Sequence, residues 1–260
     1  AREISGGSAA NSMAGVAALG LNAGFIGQVA NDQLGAIFAH DMKSLGVRFE
    51  TPPIDGGLPT GRCLIVVTPD AQRTMNTFLG AAQLLPVDAL DEQQIADAAI
   101  LYLEGYLWDP ETPRYAMVKA IDIARRAGRK VAFTLSDTFC IDRHRDGFNQ
   151  LIDNGKIDIL FANEAEICAL YDVDTFDDAL QRVNHHCEVA ALTRSGKGSL
   201  IVSGDEVHLV DAVAADVVDT TGAGDLYAAG FLFGYTHGYD LGTCGRLGSV
   251  AAAEVISHLG

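Results

Sequence analysis

The stretch DTTGAGD occupies residues 219–225 and runs directly into LYAAGFLF at residues 226–233. An apolar, β-rich segment at residues 207–218 precedes it, and the segment that follows has the composition of a helix, so three small residues stand where a helix begins. Amide groups at a helix N-terminus point outward with partial positive charge, and small residues let an anion approach the backbone closely. The stretch therefore predicts a phosphate-binding turn between a strand and a helix.

Asp225 is the unusual residue of this turn, because a carboxylate repels a bound phosphate. The functional interpretation is that Asp225 takes a proton from an attacking hydroxyl group. The structural alternative is that Gly222 and Gly224 shape a turn and that Asp225 only caps the helix, which is a common use of Asp. The stretch alone leaves both interpretations open.

A second glycine motif lies near the other end of the chain, where GGSAANS at residues 6–12 leads into MAGVAALG at residues 13–20. This pattern predicts a glycine loop, a small-residue helix that ends at its last glycine, a short buried strand, and a second helix capped by Asn31 or Asp32. Taken alone, the first glycine pair is typical of a structural turn.

Together the two motifs, in this order and about two hundred residues apart, resemble the N-terminal and C-terminal signatures of the ribokinase-like (PfkB) family of carbohydrate and nucleoside kinases. The resemblance implies a three-layer α/β/α fold with a mainly parallel central sheet and a small β lid. It also implies that Mg²⁺ and ATP are the cofactors, and that the γ-phosphoryl group is transferred to a hydroxymethyl group of a small-molecule substrate.

The substrate class is indicated by Ser8, which stands where ribokinase-type members usually carry Lys. The adenosine-kinase-like branch carries Gly-Gly-Ser followed by Asn and Ser, as residues 6–12 do here, so an adenosine-like nucleoside is the expected acceptor. A fructokinase or another sugar kinase is the alternative. A second alternative is an inactive nucleotide-binding regulatory protein of the same fold, which the presence of Asp225, Asn163 and Glu166 disfavours.

The resemblance assigns roles to individual residues. Asp225 is the catalytic base, and the backbone of Gly222, Ala223 and Gly224 stabilises the charge that develops during transfer. The implied substrate contacts are Gly6, Gly7, Asn11, Arg73 and Asp225. The implied nucleotide contacts are Thr193, Gly196, Thr221, Gly222, Gly224, Ser249 and Ala252. Two further assignments have structural alternatives: Arg73 as a solvated lid residue, and the turn at residues 193–198 as a plain hairpin turn.

Asn163 and Glu166 follow a predicted strand and can be interpreted in two ways. Their spacing suits a helix capping box. The resemblance implies that they hold Mg²⁺ through water, and Mg²⁺ commonly keeps several waters in proteins. Both interpretations can hold for the same residues. In some relatives a monovalent cation, with K⁺ as the candidate, lies beside the positions of Asp219 and Thr221.

Charge-free strands alternate with helices from residue 99 onward, a pattern typical of a parallel sheet covered on both faces. Earlier, two β-branched runs around a polar turn at residues 69–72 predict an antiparallel hairpin. This hairpin divides the chain into an α/β kinase domain at residues 1–54 and 81–260 and part of the lid at residues 55–80. The predicted strands are 60–68, 73–79, 99–103, 130–135, 157–161, 189–193, 198–202 and 206–210; the predicted helices are 112–127, 145–154, 164–171 and 177–187.

Composition limits the classes of partner. With 260 residues, 48% of them hydrophobic, the chain can bury a substantial core and is not disordered. A formal net charge of -16 argues against binding to nucleic acid or to an anionic membrane. Five widely spaced cysteines are typical of reduced thiols, so we expect a cytoplasmic protein. The expected oligomeric state is a monomer or a homodimer. We also expect a fragment that lacks the family's first strand, whose Asp grips the sugar, and the extreme C-terminus.

Overall fold

Strands and helices alternate along most of the chain, and the computed structural model describes residues 3–68, 73–184 and 186–259. The strands are β1 Ala23–Phe25, β2 Val47–Phe49, β3 Arg62–Val67, β4 Arg73–Phe78, β5 Ile100–Glu104, β6 Lys130–Thr134, β7 Ile159–Asn163, β8 Val189–Thr193, β9 Ser199–Ser203 and β10 Glu206–Val210. The helices are α1 Ser8–Ala18, α2 Gln33–Ser44, α3 Glu92–Asp97, α4 Glu111–Arg126, α5 Thr138–Asp153, α6 Glu164–Tyr171, α7 Phe176–Val183, α8 Ala223–Thr236 and α9 Leu241–Val255.

Within the described ranges, six strands form the central sheet in the order β10-β9-β8-β7-β6-β5. Strands β5 to β8 run parallel, while β9 and β10 add an antiparallel hairpin at one edge. The carboxyl ends of the parallel strands therefore meet along one side of the sheet, which is where open α/β sheets bind ligands. The mainly parallel sheet predicted from the sequence is confirmed.

Helices cover both faces of this sheet. On one face, helices α4 to α7 bury a core that includes Phe133, Phe148 and Ile167, all fully enclosed. On the other face, α8 and α9 pack on the strands through residues such as Phe161 and Phe231, whose ring centroids lie 5.4 Å apart. The arrangement is the expected three-layer α/β/α fold. In the described part of the chain, no helix is long and apolar enough to cross a membrane.

The N-terminal segment packs against α8. A Cβ atom placed on Gly15 of α1 would lie 2.6 Å from Leu226 Cδ1 and 2.8 Å from Ala229 Cβ, so only glycine allows the two helices to approach this closely. The small residues of α1 therefore serve helix packing. This packing brings the start of α1 beside the start of α8, although the two lie more than two hundred residues apart in the sequence.

Strands β3 and β4 pair antiparallel as a separate two-stranded sheet, as predicted. Apolar side chains on it, including Leu64 and Met75, are 68% and 48% exposed. The turn predicted at residues 69–72 lies outside the described residues. The division of the chain into a kinase domain and a lid at residues 55–80 stays a prediction.

Several predicted boundaries were wrong, and three of them matter for the argument. The helix predicted from residue 145 begins at residue 138, because Asp137 caps it by accepting a hydrogen bond from Cys140 N, and the helix bends at His144. The β-rich segment at residues 207–218 is a strand only as far as Val210; residues 211–222 form an irregular connection. The helix predicted to residue 187 ends at Val183.

Strand β5 extends one residue beyond its predicted end and places Glu104 at the carboxyl end of the sheet. Of the two candidate caps for the second helix, Asp32 is the cap, because its carboxylate accepts a hydrogen bond from Gly35 N at 2.8 Å.

Candidate active site

Helix α8 begins at the DTTGAGD stretch, as predicted. Gly222 takes the position before the helix with φ of 77°, a left-handed conformation that favours glycine, and Leu226 N donates the first backward bond of the helix to Gly222 O at 2.8 Å. Open space surrounds the position where a Cβ atom would stand on Gly224. The backbone at this helix start can therefore be approached closely by an anion.

The carboxylate of Asp225 joins the two sequence motifs. Ser8 Oγ donates a hydrogen bond to Asp225 Oδ1 at 2.8 Å, and Asn11 Nδ2 donates one to Asp225 Oδ2 at 2.9 Å. Asp225 is half-buried in the first turn of α8, and both donors lie in the first turn of α1. The orientation of the predicted base is thus fixed by side chains of the N-terminal motif. Ser8, used in the sequence analysis only to choose the substrate class, is a structural partner of the base.

The glycine pair at residues 6 and 7 is exposed next to Asp225. Gly7 precedes α1 with φ of 119°, and its carbonyl accepts a hydrogen bond from Asn11 N at 2.7 Å. The conformation of Gly7 therefore sets the direction in which α1, and with it Asn11, enters the site. The roles of Gly6, Gly7 and Asn11 as substrate contacts stay predictions.

Glu104 is a carboxylate that the sequence analysis missed. It is half-buried at the end of β5, where its Oε2 accepts a hydrogen bond from Ala9 N in the first turn of α1 at 2.7 Å. The pKa of Glu104 is raised to about 7, mainly by burial; the hydrogen bond from Ala9 N opposes the rise and the negative charge of Asp225 contributes to it. A single acid at the end of a strand does not form a recognisable sequence motif. Because the strand was predicted to end at residue 103, Glu104 was not assigned to it.

Asn163 and Glu166 form the complete capping box of α6. Asn163 Oδ1 accepts a bond from Glu166 N at 2.9 Å, while the Glu166 carboxylate accepts bonds from Asn163 N at 3.0 Å and from Asn163 Nδ2 at 2.6 Å. Burial raises the pKa of Glu166, which is 7% exposed, to about 7, and the carboxylate of Asp137 adds to the rise.

This pair also suits a cation. Among the described residues, Glu166 forms no ion pair, although it is a buried carboxylate beside a second acid, Asp137. Carboxylate and amide oxygens are the ligands that Mg²⁺ takes, and a positive charge here would relieve the repulsion between the two acids. The capping role of Asn163 and Glu166 is a structural fact, while their role toward Mg²⁺ stays a prediction.

The nucleotide-side turn follows β8. Thr193 is the last residue of β8, and Gly196 lies in a short 3-10 turn, with Ser195 at φ of 51°. In the irregular connection before α8, Asp219 is buried and its Oδ1 accepts hydrogen bonds from Thr221 N at 2.9 Å and Thr221 Oγ1 at 2.6 Å. The candidate monovalent cation site beside these two residues stays a prediction.

Helix α9 supplies the remaining predicted nucleotide contacts. Ser249 is buried and Ala252 half-buried, and both face the same cleft as Asp225. A Cβ atom on Gly248 would lie 2.8 Å from Tyr227 O, so part of the small-residue character of α9 serves its packing on α8. The small residues of α9 therefore have a structural cause in addition to the predicted adenine pocket.

One cleft runs along the carboxyl end of the sheet, between the strand ends, the starts of α1 and α8, and the β3–β4 hairpin. Every residue given a catalytic or ligand-binding role in the sequence analysis lines this cleft, with the exception of Arg73, whose side chain lies outside the described part of the structure. The structure therefore places residues from positions 6 to 252 of the chain along one long cleft, and Ser8 and Asn11 join two of the motifs directly through Asp225.

Comparison with known proteins shows the family to which the chain belongs. The chain belongs to the pfkB family of carbohydrate kinases, whose family description matches residues 2–260. A solved adenosine kinase from Sinorhizobium meliloti is 50% identical with a TM-score of 0.97, over 100% of this chain and 80% of that one. A probable sugar kinase from Rhizobium etli CFN 42 is 48% identical with a TM-score of 0.96, over 98% and 78%. A nucleoside kinase of Methanothermobacter thermautotrophicus is 29% identical over 100% of this chain and 80% of its own length.

The protein is accordingly a sugar or nucleoside kinase, that is, a phosphotransferase with an alcohol group as acceptor. These relatives are similar to the chain in both fold and sequence, but their names divide between nucleosides and sugars. The identity of the acceptor substrate must therefore be argued from the residues that line the cleft.

Proposed function

We propose that the protein phosphorylates the hydroxymethyl group of a nucleoside of the adenosine type. The proposal rests mainly on the two hydrogen bonds from Ser8 and Asn11 to Asp225. These bonds bring the two glycine motifs together at one place in the cleft. A base that is held on both carboxylate oxygens is fixed in direction, and fixed geometry is what general-base catalysis requires. Ser8 donates one of these bonds through a neutral hydroxyl group. The lysine that ribokinase-type members usually carry at this position would place a positive charge there instead.

The proposed reaction is a single displacement. The acceptor hydroxyl gives its proton to the Asp225 carboxylate as its oxygen attacks the γ-phosphorus of ATP, and the bond from that phosphorus to the bridging oxygen breaks to release ADP. The amides at the start of α8, around Gly222 and Gly224, stabilise the negative charge on the phosphoryl oxygens. Asn163 and Glu166 are the residues that would hold hydrated Mg²⁺, which supplies charge neutralisation on the phosphates.

Exposed aromatic rings favour a nucleoside over a free sugar. Phe139, in the first turn of α5, is 73% exposed, and Tyr106 is 39% exposed; both line the cleft. Exposing this much aromatic surface to water is unfavourable, and a flat nucleobase that stacks on a ring removes that surface from water. A free sugar offers no such face.

Glu104 favours the second candidate, a sugar kinase. Its carboxylate lies in the cleft near Asp225 and can accept hydrogen bonds from the several hydroxyl groups of a free sugar. A nucleoside offers only its ribose hydroxyls to such an acceptor. The two candidates thus depend on different residues of the same cleft.

The deciding experiment is an acceptor panel of adenosine, ribose and fructose with ATP and Mg²⁺, read as ADP release. We expect the highest kcat/KM for adenosine. Phe139→Ala should raise the KM for adenosine and leave that for ribose unchanged, whereas Tyr115→Ala, which removes a 61% exposed ring of α4 outside the cleft, should change neither. A higher kcat/KM for a free sugar would refute the nucleoside assignment and support the sugar kinase.

A further inference from the structure

An ion pair bridges the two strand ends that carry the predicted metal and nucleotide residues. Asn163 and Thr193 are register partners at the ends of the parallel strands β7 and β8. The residue that follows each of them is charged, and Arg194 Nη2 donates a hydrogen bond to Glu164 Oε1 at 3.3 Å. Lys197 Nζ lies 3.7 Å from the other oxygen, Glu164 Oε2. The pair thus connects the first residue of α6 to the turn after β8.

The guanidinium group of Arg194 is also held by an aromatic ring. Its Cζ lies 4.4 Å from the ring centroid of Phe176, a buried residue that begins α7. Cation–π contacts stabilise by about 0.5–2 kcal/mol, with the larger values in desolvated surroundings. The side chains of Arg194 and Glu164 are 26% and 36% exposed, so this pair is better shielded than an ordinary surface ion pair. Hydrogen bonding from Arg194 is the main cause that lowers the pKa of Glu164.

The backbone of Arg194 builds the turn. Arg194 N donates to Gly198 O at 2.8 Å, and Arg194 O accepts from Lys197 N at 3.0 Å. Gly196 lies inside this closed turn. Since both the backbone and the side chain of Arg194 are fixed, Arg194 helps to hold the turn in place relative to α6, together with the pairing of β7 with β8.

We propose that the Arg194–Glu164 ion pair, stacked on Phe176, positions the nucleotide-binding turn at residues 194–198 against the metal-binding start of α6. Arg194 is then a positioning residue for the phosphoryl donor. The inference rests on the proposed function in two respects, namely that the turn after β8 binds the nucleotide and that the start of α6 binds Mg²⁺. It requires the pair to control the affinity for nucleotide and to leave the affinity for the acceptor unchanged.

Binding of ADP with Mg²⁺, measured by calorimetry without any acceptor, tests the proposal. Arg194→Ala and Glu164→Gln should each weaken ADP binding by about 10-fold, the scale of a lost supporting contact at a metal site. Arg194→Lys should fall between these variants and the wild type, because it keeps a charge for Glu164 but loses the planar stack. Arg48→Ala is the matched control: it removes an exposed ion pair to Asp91 at 3.0 Å, and should bind ADP within about twofold of the wild type.

The double variant gives the sharpest outcome. If the two side chains act as one unit, Arg194→Ala combined with Glu164→Gln should bind ADP no more weakly than the weaker single variant. Multiplication of the two single effects, or wild-type ADP affinity in the single variants, would overturn the proposal. Failure of the wild type to bind ADP would instead overturn the nucleotide assignment as well. Should Arg194→Ala unfold, Glu164→Gln and Arg194→Lys decide the question alone.

Discussion

The two ends of the central sheet hold acidic side chains in opposite electrostatic settings. At the amino end, Asp158 precedes β7 and accepts two hydrogen bonds of 2.9 Å from Arg125 Nη1 and one of 2.7 Å from Val131 N. Lys130 Nζ lies 3.7 Å from Asp158 and also pairs with Glu188. Every acid in this group therefore has a cationic partner.

At the carboxyl end, Glu104 and Glu166 form no ion pair with any residue in the described part of the chain, and burial raises the pKa of each to about 7. Neighbouring acids add to the rise, Asp225 for Glu104 and Asp137 for Glu166. These two acids are therefore not compensated by a cationic side chain, whereas Glu164 at the same end is paired with Arg194.

Acids at the two ends of the sheet therefore serve different purposes, stability at the amino end and function at the carboxyl end. Acids that are paired with cations fix the strands, because breaking a partly buried pair leaves an uncompensated charge. Acids that lack cations in a cleft are candidates for chemistry or for binding a cation that arrives with the ligand. Variants at the amino end should therefore change stability, and variants at the carboxyl end should change activity.

The largest expected effect is at the base. Asp225→Asn should lower kcat by about 10²-fold or more, because the amide cannot take the proton of the acceptor hydroxyl. Affinity for ADP should stay within a few-fold, since Asp225 lies beside the anion-binding turn and its negative charge repels phosphate. Steady-state kinetics with calorimetry of ADP binding measures both. If turnover survives largely unchanged, Asp225 is not the base.

At the amino end, Asp158→Asn should lower the free energy of unfolding by about 2–3 kcal/mol, because the Arg125 guanidinium loses its buried counter-charge. Urea denaturation measures this change. The control is Asp122→Asn, which removes an exposed pair to Lys156 at 3.2 Å and should cost less than about 1 kcal/mol. The folded Asp158→Asn protein should keep its kcat. A large loss of kcat with normal stability would contradict the conclusion that acids at the amino end serve stability.

Glu166→Gln separates the capping role from the metal role at one residue. A Gln can still accept the capping-box bond from Asn163 N, and the gain from removing a buried charge offsets the lost bond from Asn163 Nδ2, so stability should change little. The Mg²⁺ concentration for half-maximal activity should rise by about 10- to 100-fold, because a neutral amide holds the hydrated ion poorly. Titration of Mg²⁺ at fixed ATP measures this shift, and superimposable curves for the two proteins would return Glu166 to a purely structural role.

Motifs with local physical causes could be predicted from the sequence. The glycine turn before α8, the capping box of α6 and the alternation of strands and helices all follow from residues close together in the chain. Even where α5 was predicted seven residues too late, the missed signal was local: Asp137, a standard helix cap.

Contacts between distant residues could not be predicted in this way. The bond from Ser8 to Asp225 spans 217 positions, and the bond from Ala9 to Glu104 spans 95. The amino-end network around Asp158 is likewise assembled from separate elements. Each depends on strand order and helix packing, for which a single acid in the sequence gives no signal.

The smallest expected effect is a difference in pH dependence between Glu104 and Glu188, one acid from each end. The pKa of Glu104 is raised from 4.5 to about 7, so between these values the folded protein holds a proton that the unfolded chain has lost. The free energy of unfolding therefore falls as the pH rises from 4.5 to 7. For Glu188, burial raises the pKa, but hydrogen bonds from Lys130 and Tyr235 outweigh burial and hold the pKa below its usual value. The ionised Glu188 therefore stabilises the folded protein above pH 4.5, and this stabilisation is lost on acidification.

The changes in the free energy of unfolding caused by Glu104→Gln and Glu188→Gln should consequently have opposite signs. Glu104→Gln should be more stable than the wild type at pH 8 by about 1 kcal/mol, a value reduced for the partial exposure of the side chain, and the difference should vanish near pH 4.5. Glu188→Gln should be less stable than the wild type at pH 8, because it loses its attraction to Lys130. Urea denaturation of the three proteins at several pH values between 4.5 and 8 measures both trends. Equal signs for the two variants would mean that the ends of the sheet do not differ in how their acids are compensated.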